Sequence, residues 1–222
     1  MGFIGFAFYL YYERKGVIVY NRFAAAAKES GSVKVLFQRR IVKFTIVAIL
    51  TGIIRTSVVF WLPTYISQYL GFTPAKATII FTIATTFISL TAFLAMFMYE
   101  RFHRNIDFTM LLVFSISSIS FVGAYLVKQP VLNIVFMISA IMFANCASNL
   151  LWSVYCPSLR DTGMVSAATG FLNFTSYMAA SISNTIFGNA VSVVGWGNLI
   201  LIWFILMVVG TVNMFPFRAK KH

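Results

Sequence analysis

Arg55, which lies inside a long apolar stretch of this chain, is the residue best placed to do chemistry. A charge at the centre of a bilayer costs about 2.5–3.5 kcal/mol on insertion scales, so such a residue is expected to face a cavity or a partner. No acidic residue lies deep in any apolar stretch. An anion supplied from elsewhere, above all an anionic substrate, would compensate the charge, and a guanidinium can bind a carboxylate or phosphate through two parallel donors. The alternative is that Arg55 snorkels or pairs with a polar neighbour for structural reasons.

Other polar side chains recur at helical spacing within apolar stretches. Asn145 and Asn149 lie one turn apart. Two further rows are Asn173, Tyr177, Ser181 and Asn184, and Thr78, Thr82, Thr85 and Ser89. Such side chains can line a polar pocket, but small and hydroxyl residues also join packed membrane helices. Packing is the favoured interpretation for each Ser and Thr, whereas both interpretations stay open for the Asn pair and for Tyr177.

The sequence gives little basis for enzymatic chemistry. It contains no glycine-rich phosphate loop, Ser/His/Asp set or acidic pair. His103 and His222 have no metal-ligand spacing around them. Cys146 and Cys156 are interpreted as packed apolar residues, because two cysteines imply no disulfide framework. We therefore expect a protein that is not an enzyme and that uses no cofactor or metal.

The composition identifies the environment in which these residues act. Apolar residues make up 60% of the chain and charged residues 10%, with a mean hydropathy of +0.87. A soluble domain is usually about half apolar and a quarter charged. The net charge of +12 would suit nucleic acid, but the basic residues lie in short breaks between apolar runs rather than on one face. The lipid bilayer is therefore the predicted partner, and nucleic-acid binding is disfavoured.

Six apolar stretches are long enough to cross about 30 Å of hydrocarbon. They predict an all-α fold, a polytopic membrane helix bundle whose six transmembrane helices lie at about 44–70, 75–99, 108–127, 131–155, 164–193 and 199–215. Residues 1–12 are interpreted as the end of a preceding transmembrane helix. Residues 13–43 form a predicted basic cytoplasmic loop, with an amphipathic helix near 33–41. The transmembrane domain is predicted at 44–217 and a cytoplasmic tail at 218–222.

The charges between these stretches predict their orientation. Fourteen of the seventeen basic residues lie in the amino-terminal segment, the second and fourth breaks and the tail, whereas the opposite breaks hold only Lys76 and Lys128. Basic loops stay on the cytoplasmic side of a membrane. We therefore predict a multi-pass protein of the cell (plasma or inner) membrane with both ends in the cytoplasm.

The first span resembles the seventh helix of the major facilitator superfamily. Arg55 stands eight residues before Pro63 in the sequence Trp61-Leu62-Pro63-Thr64-Tyr65, which is most similar to the organophosphate:phosphate antiporters. The resemblance covers about 43–217 and implies the carboxy-terminal half of a twelve-helix transporter. It also implies that Arg55 binds the substrate phosphate and that Tyr177 is a pocket tyrosine.

The same resemblance extends to residues 100–104, which are similar to the loop that follows the eighth helix of the family. It implies that Glu100, Arg101 and Arg104 act in gating and folding. Pro63 is likewise expected to have a gating or structural role.

The resulting hypothesis is a secondary active transporter half that moves a small organic anion by alternating access. Its most specific version is exchange of an organophosphate for phosphate. Arg55, Tyr177, Asn145 and Asn149 would bind the substrate. An amino-terminal six-helix half, either a missing segment or a second chain, would complete the transporter. The alternatives are a non-transporting remnant or sensor built on the same scaffold and a carrier of carboxylates or sugar acids.

Overall fold

The computed structural model describes residues 33–216. The predicted end of a preceding helix, most of the basic loop and the tail lie outside the described residues. Within 33–216 the chain is helical and has no strand, which confirms the all-α prediction. The helices are α1 (Val33–Gln38), α2 (Ile41–Gln68), α3 (Pro74–Arg101), α4 (Ile106–Leu126), α5 (Pro130–Thr162) and a last helical segment, Val165–Met214.

Five helices in the described part of the chain are long and apolar enough to cross a membrane. The last has 50 residues, or about 75 Å at 1.5 Å per residue, more than twice the thickness of a bilayer core. It is interrupted at Gly195, whose backbone is not helical (φ 74°, ψ 166°). A positive φ of this kind is adopted readily only by glycine. The two parts are α6 (165–194) and α7 (196–214), which correspond to the fifth and sixth predicted spans.

The chain reverses its direction at this glycine. Three contacts link α2 to the segment in order along the chain: Gly52 with Ser176, Tyr65 with Trp196, and Lys43 with Asn213. From the first contact to the second, the residue numbers increase both in α2 and in the last segment. The third contact lies further along the last segment but back at the start of α2. α6 therefore lies parallel to α2, and α7 lies antiparallel to it. The described chain thus forms six helices of membrane length, as the apolar stretches predicted.

Polar caps and prolines set the starts of three helices. The side chains of Thr73, Asn105 and Gln129 accept hydrogen bonds from backbone N–H groups in the first turns of α3, α4 and α5. Such caps satisfy donors that have no partner within the helix. Pro74 and Pro130 occupy the first helical positions, where the missing proline N–H is not needed.

α5 continues beyond its predicted end at about Tyr155, through Pro157 to Thr162. A proline removes a backbone donor and usually ends a helix. Here it follows a π-helical turn at Leu151–Tyr155, a distortion of the kind that accompanies bends in continuing helices. α2 has the same combination, a π-helical turn at Ile54–Val58 followed by Pro63. Such turns occur frequently at functional sites.

The buried core lies between α2, α4, α5 and α7. Its large, fully buried side chains include Phe44, Phe114, Phe121, Met137 and Trp203. In the most apolar stretch of each helix, about half of the residues are buried in α2, α4 and α5, but only 17% are buried in α3. α3 therefore lies at the periphery, where its exposed apolar side chains suit lipid or another membrane protein.

Candidate functional site

Arg55 lies in the π-helical turn near the middle of α2. Its side chain is exposed on the outside of the described bundle. The guanidinium lies over the ring of Tyr177, with 5.7 Å between Cζ and the ring centroid, which is within the range of a cation–π interaction. Within residues 33–216, Arg55 forms no salt bridge. The structure therefore brings together the two residues that the resemblance had assigned to one pocket.

Tyr177 belongs to a polar row on the outer face of α6. Asn173, Tyr177 and Ser181 are all exposed and are four residues apart, so they point in about the same direction from the helix. The next member of the row, Asn184, is half-buried, and its Oδ1 has no hydrogen-bond partner among the described residues. The row thus leads from the guanidinium of Arg55 along the exposed side of α6.

Close packing between α2 and α6 holds this face together. A Cβ atom on Gly52 would lie 2.6 Å from the backbone oxygen of Ser176, so the two helices approach to a distance that only glycine permits. Further along the two helices, the hydroxyl groups of Ser57 and Ser183 are 2.8 Å apart and buried. Small residues of this kind allow membrane helices to pack closely. The seam fixes the relative position of the two helices on either side of the cation–π pair.

A second unpartnered polar group lies in the same seam. Trp61 packs against Gly188 of α6, since a Cβ there would lie 3.3 Å from the indole ring. The indole Nε1 is buried without a hydrogen-bond partner in the part of the chain that the structure describes. Buried polar groups are usually paired with protein or water. Among the described residues, an unpaired donor on Trp61 thus lies in the seam, and an unpaired acceptor on Asn184 lies in the polar row of α6.

Asn145 and Asn149 make contacts of a different kind. Their amide groups donate to the hydroxyl of Thr91, at 2.8 and 3.2 Å. Thr91 follows a bend in α3 at Leu90, where the helix is interrupted between Ser89 and Thr91. The two asparagines thus join α5 to the bend of α3, and within the described residues neither is hydrogen-bonded to Arg55 or Tyr177. Their predicted place in a substrate pocket stays a prediction.

The residues predicted to form a gate lie at the end of α3. Glu100, Arg101 and Arg104 are exposed, and Arg104 has a left-handed backbone (φ 56°) in the turn before α4. None of the three forms an ion pair with another described residue. Pro63 is half-buried in α2, four residues after Val59, the first residue beyond the π-helical turn. The gating role of these residues stays a prediction.

Ion pairs at this end of the bundle come from residues that the sequence analysis did not single out. Arg39 pairs with Asp161, while Arg40 and Lys43 pair with Asp107 at 2.8 and 2.9 Å. These contacts connect the start of α2 with the start of α4 and the end of α5.

A signal for this cluster was present in the sequence. The chain has only five acidic residues, and two of them, Asp107 and Asp161, stand next to helix ends on the predicted basic side. Matching these few acids with nearby basic segments could have suggested the pairs. Which cation meets which acid depends on the order of helices in space, which the pattern does not give.

Compared with known proteins, the chain matches no family model and no curated protein. Its function is therefore inferred from the geometry of the described residues. The most informative features are an exposed arginine in the middle of a membrane-length helix, the tyrosine beneath it and the polar row beside it.

Proposed function

We propose that this protein is part of a membrane carrier for a small organic anion and that Arg55 binds the anion. The observation that carries the proposal is the exposed guanidinium near the middle of α2, for which the described residues supply no carboxylate. Hydrocarbon offers no compensation for such a charge, whereas a polar cavity with an anionic ligand does.

The contact with Tyr177 favours anion binding in a defined orientation. The Cζ atom of Arg55 lies over the ring of Tyr177, and the guanidinium forms no salt bridge with a described residue, so its N–H groups remain available. Arginine has five such donors in a planar fork, and the fork can bind a phosphate or carboxylate through two bonds. The exposed polar row of α6 would supply further hydrogen bonds to the rest of the ligand.

The exposure of this face supports a second group of helices that covers it. Carriers of the inverted-repeat type bind substrate near the middle of the membrane, between two such groups. We propose an amino-terminal six-helix half of the major facilitator type as this partner, with alternating access between the halves. Asn145 and Asn149 would act at the pocket side of α3, and Glu100, Arg101 and Arg104 at the cytoplasmic gate. The most specific form of the proposal is exchange of an organophosphate for phosphate in a cell membrane, with both ends in the cytoplasm.

Ligand binding to Arg55 variants tests the proposal. The protein would be captured in nanodiscs directly from the expressing membrane, and binding of inorganic phosphate, glycerol phosphate and a sugar acid would be measured together with membrane yield. Arg55→Lys should weaken binding at least about tenfold, because a bond to a charged group contributes about 1.5–3 kcal/mol and about 1.4 kcal/mol is a factor of ten. Arg55→Ala should abolish binding at this site without lowering the yield, since a charge in the bilayer opposes insertion.

Lys128 provides a matched control. Its ammonium group lies over the ring of Tyr125, 5.8 Å from the centroid, in a similar cation–π contact outside the middle of a span. Lys128→Ala should therefore leave anion binding unchanged. Unchanged affinity in Arg55→Ala, or a collapse of yield with affinity intact, would show that Arg55 is structural. Preference for the sugar acid over both phosphates would identify a carboxylate carrier.

A non-transporting sensor is the second candidate function. It is favoured by the contact in which Tyr177 already compensates part of the charge of Arg55, an arrangement that needs no transport cycle. Flux measurements on sealed vesicles of the same expressing membrane, which retain any partner half, distinguish the two functions. Saturable exchange of a bound anion supports the carrier, whereas specific binding without exchange supports the sensor.

A further inference from the structure

A second polar site lies at the end of the bundle where α2 and α4 begin and α5 ends. It is a cavity of about 350 Å³, which is in the size range of sites for small ligands. Its polar lining consists of Gln38, Arg39, Arg40, Tyr99, Tyr155 and Ser158. Two arginines that face one cavity at the end of membrane-length helices suggest an anion-binding site.

The charges around the cavity do not cancel. Arg39 pairs with Asp161, and Asp107 is shared between Arg40 and Lys43, so three cations meet two carboxylates. The side chains of both arginines remain about half exposed. Each guanidinium has five N–H donors and uses only one of them in its ion pair with the acid. Donors and one excess positive charge are therefore left for a ligand.

The walls of the cavity hold the arginines in place. The rings of Phe44 and Tyr155 are stacked, with centroids 3.6 Å apart. The hydroxyl of Tyr155 donates to the backbone carbonyl of Arg39 at 3.1 Å. The segment that carries both arginines is thus anchored to α5 through its backbone, independently of the exposed ion pairs. A site with fixed donors loses less entropy when a ligand binds.

The neighbouring side chains place this cavity at a membrane surface. Phe37 and Val42, which flank the two arginines in sequence, are exposed apolar residues. Exposed apolar groups beside basic residues are typical of segments that lie at the interface with anionic lipid.

We propose that this cavity binds a phosphate group through Arg39 and Arg40. The phosphate can belong to the headgroup of an anionic phospholipid or be a free phosphate ion, and both present the same oxygens to the two forks. The site is separate from the proposed carrier site, because Arg55 follows Arg40 by fifteen residues, or about 22 Å along a helix. It does not depend on the proposed function.

The test compares lipid and phosphate binding by the full chain and three variants. Native mass spectrometry would count the lipids retained after release from nanodiscs of phosphatidylcholine mixed with phosphatidylglycerol. Calorimetry in nanodiscs of phosphatidylcholine alone would measure binding of inorganic phosphate in an Arg55→Ala background, in which the proposed carrier site does not contribute. The wild-type protein should retain phosphatidylglycerol preferentially or bind inorganic phosphate, and these two results identify the lipid and the free ion, respectively, as the source.

The variants separate a built site from a generally basic surface. Combining Arg39→Gln with Arg40→Gln should reduce the affinity at least about tenfold. Ser158→Phe should have a similar effect, because it fills the cavity while the ion pairs of both arginines remain. Lys34→Gln removes a charge at the same end outside the cavity and should change the affinity less than about twofold. The proposal is overturned if the wild-type protein neither retains phosphatidylglycerol preferentially nor binds inorganic phosphate. It is also overturned if Lys34→Gln loses as much affinity as the double variant, or if Ser158→Phe retains wild-type affinity.

Discussion

Asp107 is the carboxylate on which the ion pairs at the basic end depend most, and Asp107→Asn should destabilise the protein clearly. The side chain of Asp107 is 26% exposed and that of Lys43 is 18% exposed. Asp107 accepts from both Lys43 and Arg40, at 2.9 and 2.8 Å. Asparagine keeps the shape of the side chain but removes its charge, and so leaves a partly buried lysine without a counterion.

The size of the effect follows from burial. A hydrogen bond to a charged group contributes about 1.5–3 kcal/mol, and an amide recovers part of it. A negative charge in the first turn of a helix adds about 0.3–1 kcal/mol, and Asp107 lies in the first turn of α4. We expect a loss of about 2–3 kcal/mol in the free energy of unfolding. Asp161→Asn is the matched control, since its pair with Arg39 is 57% and 49% exposed, and exposed pairs contribute about 0–1 kcal/mol.

Unfolding titrations in mixed micelles, followed by tryptophan fluorescence, would measure both variants at low and high salt. The loss in Asp107→Asn should persist at high salt, because partly buried charges are screened less than exposed ones. The smaller loss in Asp161→Asn should disappear. Equal losses in the two variants, or an Asp107 effect that salt abolishes, would refute the explanation based on burial.

Two further predictions concern the helix seam and the orientation. Gly52→Ala should lower the free energy of unfolding of the purified protein by about 1–3 kcal/mol, since the new methyl group would meet the backbone of Ser176. Gly170→Ala is the control, because its methyl group would meet no atom within 4 Å. It should be neutral or stabilising in the same unfolding titration. For orientation, a cysteine beside Lys128 should react with an impermeant reagent added to intact cells, and one beside Arg104 should not. The reverse labelling pattern would contradict the predicted topology.

The helices could be predicted from the sequence because their signals are local. A stretch of some twenty apolar residues has to cross the membrane or be buried, whatever the rest of the chain does. The starts of α3 and α5 were also predictable, since Thr73 with Pro74 and Gln129 with Pro130 combine a cap with a proline at the first helical position. The exact end of α5 was not, because the π-helical turn before Pro157 depends on packing against other helices.

The ion pairs could not be predicted, because their partners are far apart in the chain. Arg39 and Asp161 are separated by 122 residues. Loop charge indicates that both lie on the same side of a membrane, but not that α2 begins next to the end of α5. The basic residues before the first span were therefore interpreted only as part of a cytoplasmic loop.

The candidate site was predictable in part. Arg55 could be found from the free energy needed to place its charge in a membrane, which does not depend on the identity of its neighbours. Its contact with Tyr177 depends on how α2 and α6 are rotated about their axes, and only the resemblance suggested it. The rotation of α5 was equally undetermined, so the sequence did not show that Asn145 and Asn149 would both donate to Thr91.

The described bundle is tied together at both ends, and this bears on how a carrier built from it would work. At the basic end, ion pairs join α2 to α4 and α5. At the other end, the hydroxyl of Tyr65 donates to Asn133 of α5, whose amide donates to the carbonyl groups of Ala124 and Val127 at the end of α4. Bonds at both ends oppose separation of these helices from one another. Alternating access in the proposed carrier would therefore come from movement of this bundle as one body against its partner, with Arg55, on the outer face, moving with it.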